Sequence, residues 1–234
     1  MNSRRGPSSR LLLLLAVLSV FVVGAMQAST ALASASHGMK YISSSCCTLL
    51  GTRDTITLPS SSSWSDGHAS CIGMYSDAVS GGPIWIQDGP LKCYNGATID
   101  GTCSGGPISY VEIKNSGVAA QCTNEGSIAW SSTHLYTVDS TSTNIWAAYI
   151  DGSSPPVYPG KLTMGASAQV DESAEYAVGG CSDGFSAAAS FSVGSPVWQR
   201  WTGSTWFTVQ GSNNDYTCGW FYSGSIANGW SDVH

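Results

Sequence analysis

Hydrophobic residues after position 36 occur in short runs and show no 3.6-residue period. The runs are rich in β-branched and aromatic residues and are bounded by Gly, Pro, Asn and Asp, a pattern typical of an all-β sandwich or barrel. The pattern predicts twelve strands: Thr55–Leu58, Cys71–Tyr75, Pro83–Gln87, Ile108–Lys114, Ser127–Trp130, His134–Val138, Asn144–Ile150, Leu162–Val170, Phe185–Phe191, Val197–Trp201, Thr205–Val209 and Thr217–Tyr222. The Asp151-Gly152 pair predicts a tight turn.

Two predicted strands carry a clear alternation between faces. In Pro83–Gln87, the residues Ile84 and Ile86 share one face, and Trp85 and Gln87 share the other. In Ile108–Lys114, Val111 and Ile113 share one face, whereas Tyr110 and Glu112 lie on the opposite one. If the Ile and Val faces form the core, the opposite faces present aromatic rings, an amide and a carboxylate. The alternative is that Trp85 and Tyr110 are partly buried core residues.

The first 35 residues have the pattern of a cleavable signal peptide. Arg4, Arg5 and Arg10 precede an apolar run of sixteen residues from Leu11 to Met26, and small residues follow, with cleavage expected after Ala33 or Ala35. A membrane anchor is the alternative, but the run is shorter than the roughly 20 residues of a span. We therefore expect a secreted, extracellular protein with one domain over residues 36–234, of which 36–106 is a Cys-rich first half, and no membrane span in the mature chain.

The expected mature chain is acidic, with six Lys and Arg residues against fifteen Asp and Glu residues, a net charge of −9. Nucleic acids and anionic membranes require basic patches, so neither is an expected partner. All eight cysteines lie in the mature part, and an even number in an exported protein predicts disulfides. They are Cys46, Cys47, Cys71, Cys93, Cys103, Cys122, Cys181 and Cys218. The chain has no C-x-x-C and its histidines are scattered, so no metal site and no cofactor are expected.

Several known catalytic motifs are missing from the sequence. There is no H-E-x-x-H, P-loop or EF-hand loop. His68 and His134 lie near serines, but serine is so abundant that this proximity is uninformative. Asp171, Glu172 and Glu175 form an acidic cluster that we expect to be a solvated turn rather than a calcium site.

A series of short motifs resembles the strands of the secreted glutamic peptidases and of the similar neprosin-like proteins. The motifs are PIWIQDG, ISYVEIKNSG, HLYTVDS, NIWAAYIDG and GASAQVDESAE, which together span roughly residues 83–190. The resemblance implies a concanavalin-like sandwich (jelly roll) of two antiparallel sheets, in which a Gln and a Glu activate a water against a peptide carbonyl. Gln87 matches the Gln motif, whereas Gln169 takes the position of the catalytic Glu. The remaining candidate acids are Glu172, which needs a slipped register to face Gln87, and Glu112.

Two functions remain open at this level. The first is a non-catalytic module that binds an extracellular glycan or polymer through aromatic rings, with Trp85, Tyr110, Trp198 and Trp201 as the candidate ligand-binding residues. The alternative is an acid endopeptidase acting on peptides, with Gln87, Glu172 and Glu112 as the candidate catalytic residues. The first is preferred because the expected Glu is replaced.

Overall fold

The computed structural model of the chain describes residues 36–45, 47–60, 68–76, 84–92, 99–100, 106–118, 120–162, 164–165, 167, 169–176, 190–191, 196–216, 221–225 and 229–233. These residues form seventeen β-strands, with no helix among them. In this described part, therefore, nothing has the length and apolar character of a membrane-crossing helix. The predicted signal peptide lies outside the described residues.

The strands form two sheets. Sheet A has eight strands in the spatial order β15 (Asn213–Tyr216), β1 (Ser36–Ser43), β11 (Gln169–Tyr176), β3 (His68–Ser76), β4 (Ile84–Lys92), β6 (Pro107–Lys114), β7 (Gln121–Ser127) and β5 (Ile99–Asp100). Sheet B has the order β10 (Tyr158–Lys161), β9 (Ile145–Ile150), β8 (Thr133–Ser142), β2 (Gly51–Thr57), β12 (Ser190–Phe191), β17 (Gly229–Val233) and β16 (Phe221–Ser225). A hairpin of β13 (Gln199–Trp201) and β14 (Trp206–Thr208) joins sheet B through β2. Every described pairing is antiparallel except that of β5 with β7.

The hydrophobic core lies between the two sheets, which makes the fold a β-sandwich. One cluster joins side chains from sheet A with side chains from sheet B and from the connecting segments: Ile42, Ile84, Ile86, Val111 and Val170; Val138, Trp146 and Ala148; and Leu49, Leu162, Met164, Trp198 and Val209. Burial of each large aliphatic side chain contributes about 2 kcal/mol. The indole N–H of Trp146 donates to the carbonyl of Met164 at 2.7 Å, which satisfies its one polar atom inside the core.

The predicted faces of β4 and β6 are confirmed. Ile84, Ile86 and Val111 belong to the core cluster, and Ile113 packs against it. Gln87 and Glu112 lie directly opposite each other on the other face. Alternation along the two strands thus places Gln87 and Glu112 together on the side of sheet A opposite the core.

Several predicted strand boundaries are wrong. Ser127–Trp130 contains only the last residue of β7, and Leu162–Val170 contains only the first two residues of β11. Leu162 and Met164 are buried in the core from irregular backbone, so their apolar character does not reflect a strand. β1 and β7 were not predicted; β7, with the sequence QCTNEGS, has no alternation of apolar residues to reveal it. Parts of four predicted strands, at 83, at 163, 166 and 168, at 185–189 and at 217–220, lie outside the described residues.

Candidate functional site

A line of residues crosses four adjacent strands of sheet A. Asp171 on β11 is opposite Gly73 on β3, Gly73 is opposite Gln87 on β4, and Gln87 is opposite Glu112 on β6. Directly opposed residues in antiparallel strands point to the same face. The line therefore places an acid, a position without a side chain, an amide and a second acid next to one another. We call this side of sheet A the polar face, defined by Gln87, Glu112, Asp171, Tyr110 and Gln169.

The Gln87 amide is held by two neighbours on β6. Its Nε2 donates to Oε2 of Glu112 at 2.8 Å and to the hydroxyl of Tyr110 at 3.2 Å. Glu112 and Tyr110 are fully buried, whereas Gln87 is half-buried. Because an amide nitrogen has two hydrogens, these contacts leave the carbonyl oxygen Oε1 as the amide atom that can accept a hydrogen bond from a water.

Asp171 is a buried acid on the same face. Burial raises the pKa of its carboxyl to about 6, although a hydrogen bond from Gln169 opposes the shift. The Gln169 Nε2 donates to Oδ2 of Asp171 at 3.3 Å. The glutamine at the position expected for a catalytic Glu therefore orients an aspartate two residues further along the same strand.

The prediction for Glu172 is wrong. No bulge interrupts β11, so Glu172 stays on the same face as Val170, which is the core side of sheet A, and is fully buried there. It is opposite Ile72 on β3, which is in turn opposite Asp88 rather than Gln87. The acidic cluster is also no solvated turn, because Asp171 and Glu172 are buried strand residues. Since Val170 marks the core side, alternation assigns Asp171 to the polar face, and this signal was present in the sequence.

Two of the four predicted ligand-binding aromatic residues are inaccessible. Trp198 is fully buried in the core, where its indole N–H donates to Oγ1 of Thr52 at 2.9 Å. Tyr110 is also fully buried and acts through its hydroxyl on Gln87 rather than through its ring. Both predictions of ring stacking on a ligand are therefore wrong.

The other two aromatic residues lie on different sheets. Trp85 on β4 is half-buried, with the Lys114 ammonium 5.4 Å from its ring centre. Trp201 on β13 is half-buried in sheet B, and its ring centre is 5.2 Å from that of Trp206. A single aromatic surface formed by the four residues does not exist.

Cys122 is a correction to the predicted disulfides, because its thiol is free and buried. The residues paired with Cys122 on the neighbouring strands are Glu112 on β6 and Ile99 on β5, and neither is a cysteine. Burial, followed by the charges of Glu112 and Glu125, raises the pKa of this thiol. The disulfides of the other cysteines remain a prediction. Within the described residues, no group of three or more His, Cys, Asp or Glu side chains is arranged to hold a metal ion.

Comparison with known proteins gives structural matches only. No protein-family model matches the chain, and no curated protein matches it by sequence. Scytalido-glutamic peptidase, solved with a peptide-based transition-state analogue, is similar with a TM-score of 0.54 and 14% identity, over 86% of this chain and 98% of that one. SCP-B, a member of the eqolisin family of peptidases, has a TM-score of 0.45 and 13% identity, over 86% of this chain and 98% of that one. A β-glucanase of Bacillus licheniformis has a TM-score of 0.38 and 12% identity, over 80% of this chain and 67% of that one.

The resemblance to the glutamic peptidases is confirmed at the level of the fold. At 14% identity this likeness shows the fold alone. The choice between the two functions that the sequence left open depends on the side chains of the polar face.

Proposed function

We propose that this protein is an exported hydrolase that cleaves peptide bonds in mildly acidic solution, with Gln87 and Asp171 on either side of the attacking water. The observation that carries the proposal is the register line Asp171–Gly73–Gln87–Glu112. Neighbouring strands lie about 4.8 Å apart, so the backbones of β11 and β4 are separated by roughly 10 Å. Gly73 contributes no side chain between them, which leaves room for a water and a substrate carbonyl.

The chemistry follows from the proton positions. Oε1 of Gln87 accepts one hydrogen of the water, and the ionised Asp171 carboxylate accepts the other as the water oxygen bonds to the peptide carbonyl carbon. The protonated Asp171 then gives this proton to the leaving amine as the C–N bond breaks. A group that both takes and returns a proton works best near its own pKa, so the value of about 6 for Asp171 favours mild acidity.

Glu112 serves as a positioning residue. Its Oε2 and the Tyr110 hydroxyl fix the amide so that Oε1 rather than Nε2 is available to the water. Held in this way, the amide does not donate to a developing oxyanion.

A two-carboxylate glycosidase mechanism fits the register less well. It requires carboxyl groups about 5 to 9.5 Å apart. Asp171 and Glu112 lie on strands three intervals apart, or roughly 14 Å between backbones. Two of the four aromatic residues predicted to bind a glycan, Tyr110 and Trp198, are also fully buried and cannot contact it through their rings.

The test uses casein and the purified mature protein between pH 3 and pH 8. We expect cleavage with a maximum in mild acid, and a loss of about 100-fold or more in Gln87→Ala and Asp171→Asn. The matched control is Gln199→Ala, which removes a half-buried strand amide from sheet B that accepts from Arg53 Nε at 2.8 Å. Full activity in Asp171→Asn would exclude the mechanism. Titration against a glycan panel tests the alternative, and we expect no binding that depends on Trp85.

A further inference from the structure

A second group of polar side chains lies on sheet B, away from the polar face. The Oγ of Ser132 is 2.8 Å from Nε2 of His134, and Nδ1 of the same imidazole is 2.7 Å from Oδ2 of Asp151. The order hydroxyl, imidazole, carboxylate is the arrangement in which a base activates a nucleophile and an acid orients the base. No sequence motif indicated this group.

The hairpin of β8 and β9 brings these residues together. Tyr136 on β8 is opposite Ile150 on β9, so the residue that follows β9, Asp151, returns alongside the start of β8. Asp151 and Gly152 both have positive φ, at 53° and 68°, as the predicted turn requires. The backbone N–H of Leu135 donates to Oδ1 of Asp151 at 2.9 Å, which leaves Oδ2 for the imidazole. The carboxylate is thus held in place by the strand that carries the histidine.

The hydrogen bonds of Ser132 fit both the neutral and the protonated form of the His134 imidazole. The Ser132 Oγ is also 2.5 Å from the carbonyl oxygen of Ala129. When Nε2 of His134 carries no proton, the hydroxyl donates to it; when Nε2 is protonated, it donates to Oγ and the hydroxyl donates to Ala129. In both states Nδ1–H donates to Asp151. The same heavy-atom positions therefore serve both forms of the imidazole.

The group is accessible to a substrate. The side chains of His134 and Asp151 are 19% and 53% exposed, and Ser132 is half-buried. The half-buried hydroxyl of Ser132 can be reached by a small ester.

From this geometry we propose that Ser132, His134 and Asp151 form a nucleophilic acyl-transfer site that acts on esters of small carboxylic acids. Ser132 Oγ bonds to the ester carbonyl carbon while its proton passes to Nε2 of His134. The C–O bond to the alcohol then breaks, and the alcohol leaves with that proton. A water, deprotonated by the same nitrogen, releases the acid and regenerates the hydroxyl.

The experiment uses a fluorophosphonate probe and p-nitrophenyl acetate with the full mature protein. Displacement of fluoride by Ser132 Oγ leaves a phosphonyl adduct, which peptide mass spectrometry assigns to a residue. We expect the adduct on Ser132, its absence in Ser132→Ala, and a fall in acetate release of about 100-fold in His134→Ala.

The controls separate this site from a folding defect and from the polar face. Asp151→Asn keeps the shape of the side chain and should slow labelling at least about tenfold, with an unchanged circular dichroism spectrum. Ser140→Ala removes a hydroxyl on β8 that donates to the Ser142 carbonyl, and should leave the labelling of Ser132 unchanged. Gln87→Ala should also label normally. The proposal is overturned if Ser132 takes no adduct, or if His134→Ala is labelled as fast as wild type.

Discussion

Replacement of Asp171 by Asn tests whether its carboxyl is buried as the structure shows. Burial raises the pKa of this group from 3.8 to about 6. A group whose pKa is raised by folding contributes full stability below the unfolded value, and that stability is lost as the pH rises through the folded value. Relative to a side chain that is neutral in both states, Asp171 therefore lowers the free energy of unfolding by about 3 kcal/mol at pH 7 and by about 0.5 kcal/mol at pH 4.

Asn has no charge to bury and still accepts from Gln169 through its carbonyl oxygen. We therefore expect Asp171→Asn to raise the free energy of unfolding by up to about 3 kcal/mol at pH 7 and by far less at pH 4, while peptide cleavage is lost. Urea unfolding followed by tryptophan fluorescence at both pH values measures the difference. Equal stability of the two proteins at pH 7 would refute the burial of an ionisable group here. Equal gains at both pH values would show that the effect is packing rather than charge.

Three further substitutions test the sandwich around the site. Burial raises the pKa of Asp88 well above its usual range, so the free energy of unfolding of the wild type should fall by about 1.4 kcal/mol per pH unit above pH 4. Asp88→Asn should remove this decline, which urea midpoints across pH measure. Gly51→Ala should lower the free energy of unfolding by about 1 to 3 kcal/mol, because the added Cβ would lie 2.8 Å from Trp201 Cβ. The control Gly211→Ala places its Cβ in open space and should leave the free energy of unfolding unchanged in the same assay. Trp198→Phe should cost about 2 kcal/mol in thermal unfolding through its lost bond to Thr52 and the space it leaves.

The polar face could be predicted from sequence where alternation was clear. In β4 and β6, Ile and Val at every second position identify the core side, so the side of Gln87 and Glu112 follows. β11 has one strongly apolar residue within its acidic stretch, Val170, and Glu172 was a candidate only through a slip of register that the structure does not contain. That Asp171 lines up with Gln87 depends on the pairing of β11 with β3, strands about 100 residues apart. Nothing local encodes such a pairing.

The predicted aromatic ligand site was wrong for a different reason. Large aromatic residues are the main bulky apolar residues near the C-terminus of this chain, and Trp198 is needed to fill the core. The Ser132–His134–Asp151 group was missed because serine is so frequent in this chain that a histidine near a serine does not indicate a catalytic site. The register that brings Asp151 beside the start of β8 is set by the turn at 143–144 between β8 and β9, and not by the Asp151-Gly152 turn that follows β9.

The unusual acid balance of the chain links its stability to its proposed chemistry. Burial is the first cause of the raised pKa of Asp88, Glu125, Asp139 and Asp171, and no lysine or arginine is among the causes for any of them. Residues 36–234 hold only six basic residues against fifteen acids, too few to pair them all, so acids that enter the interior are favoured in the neutral form. Each such acid makes the folded state bind more protons than the unfolded chain, and the fold gains stability in acid. Because no cation offsets its burial, Asp171 has a pKa of about 6. The acidic pH range in which the sandwich is most stable therefore overlaps the range in which Asp171, the proposed base, can carry a proton.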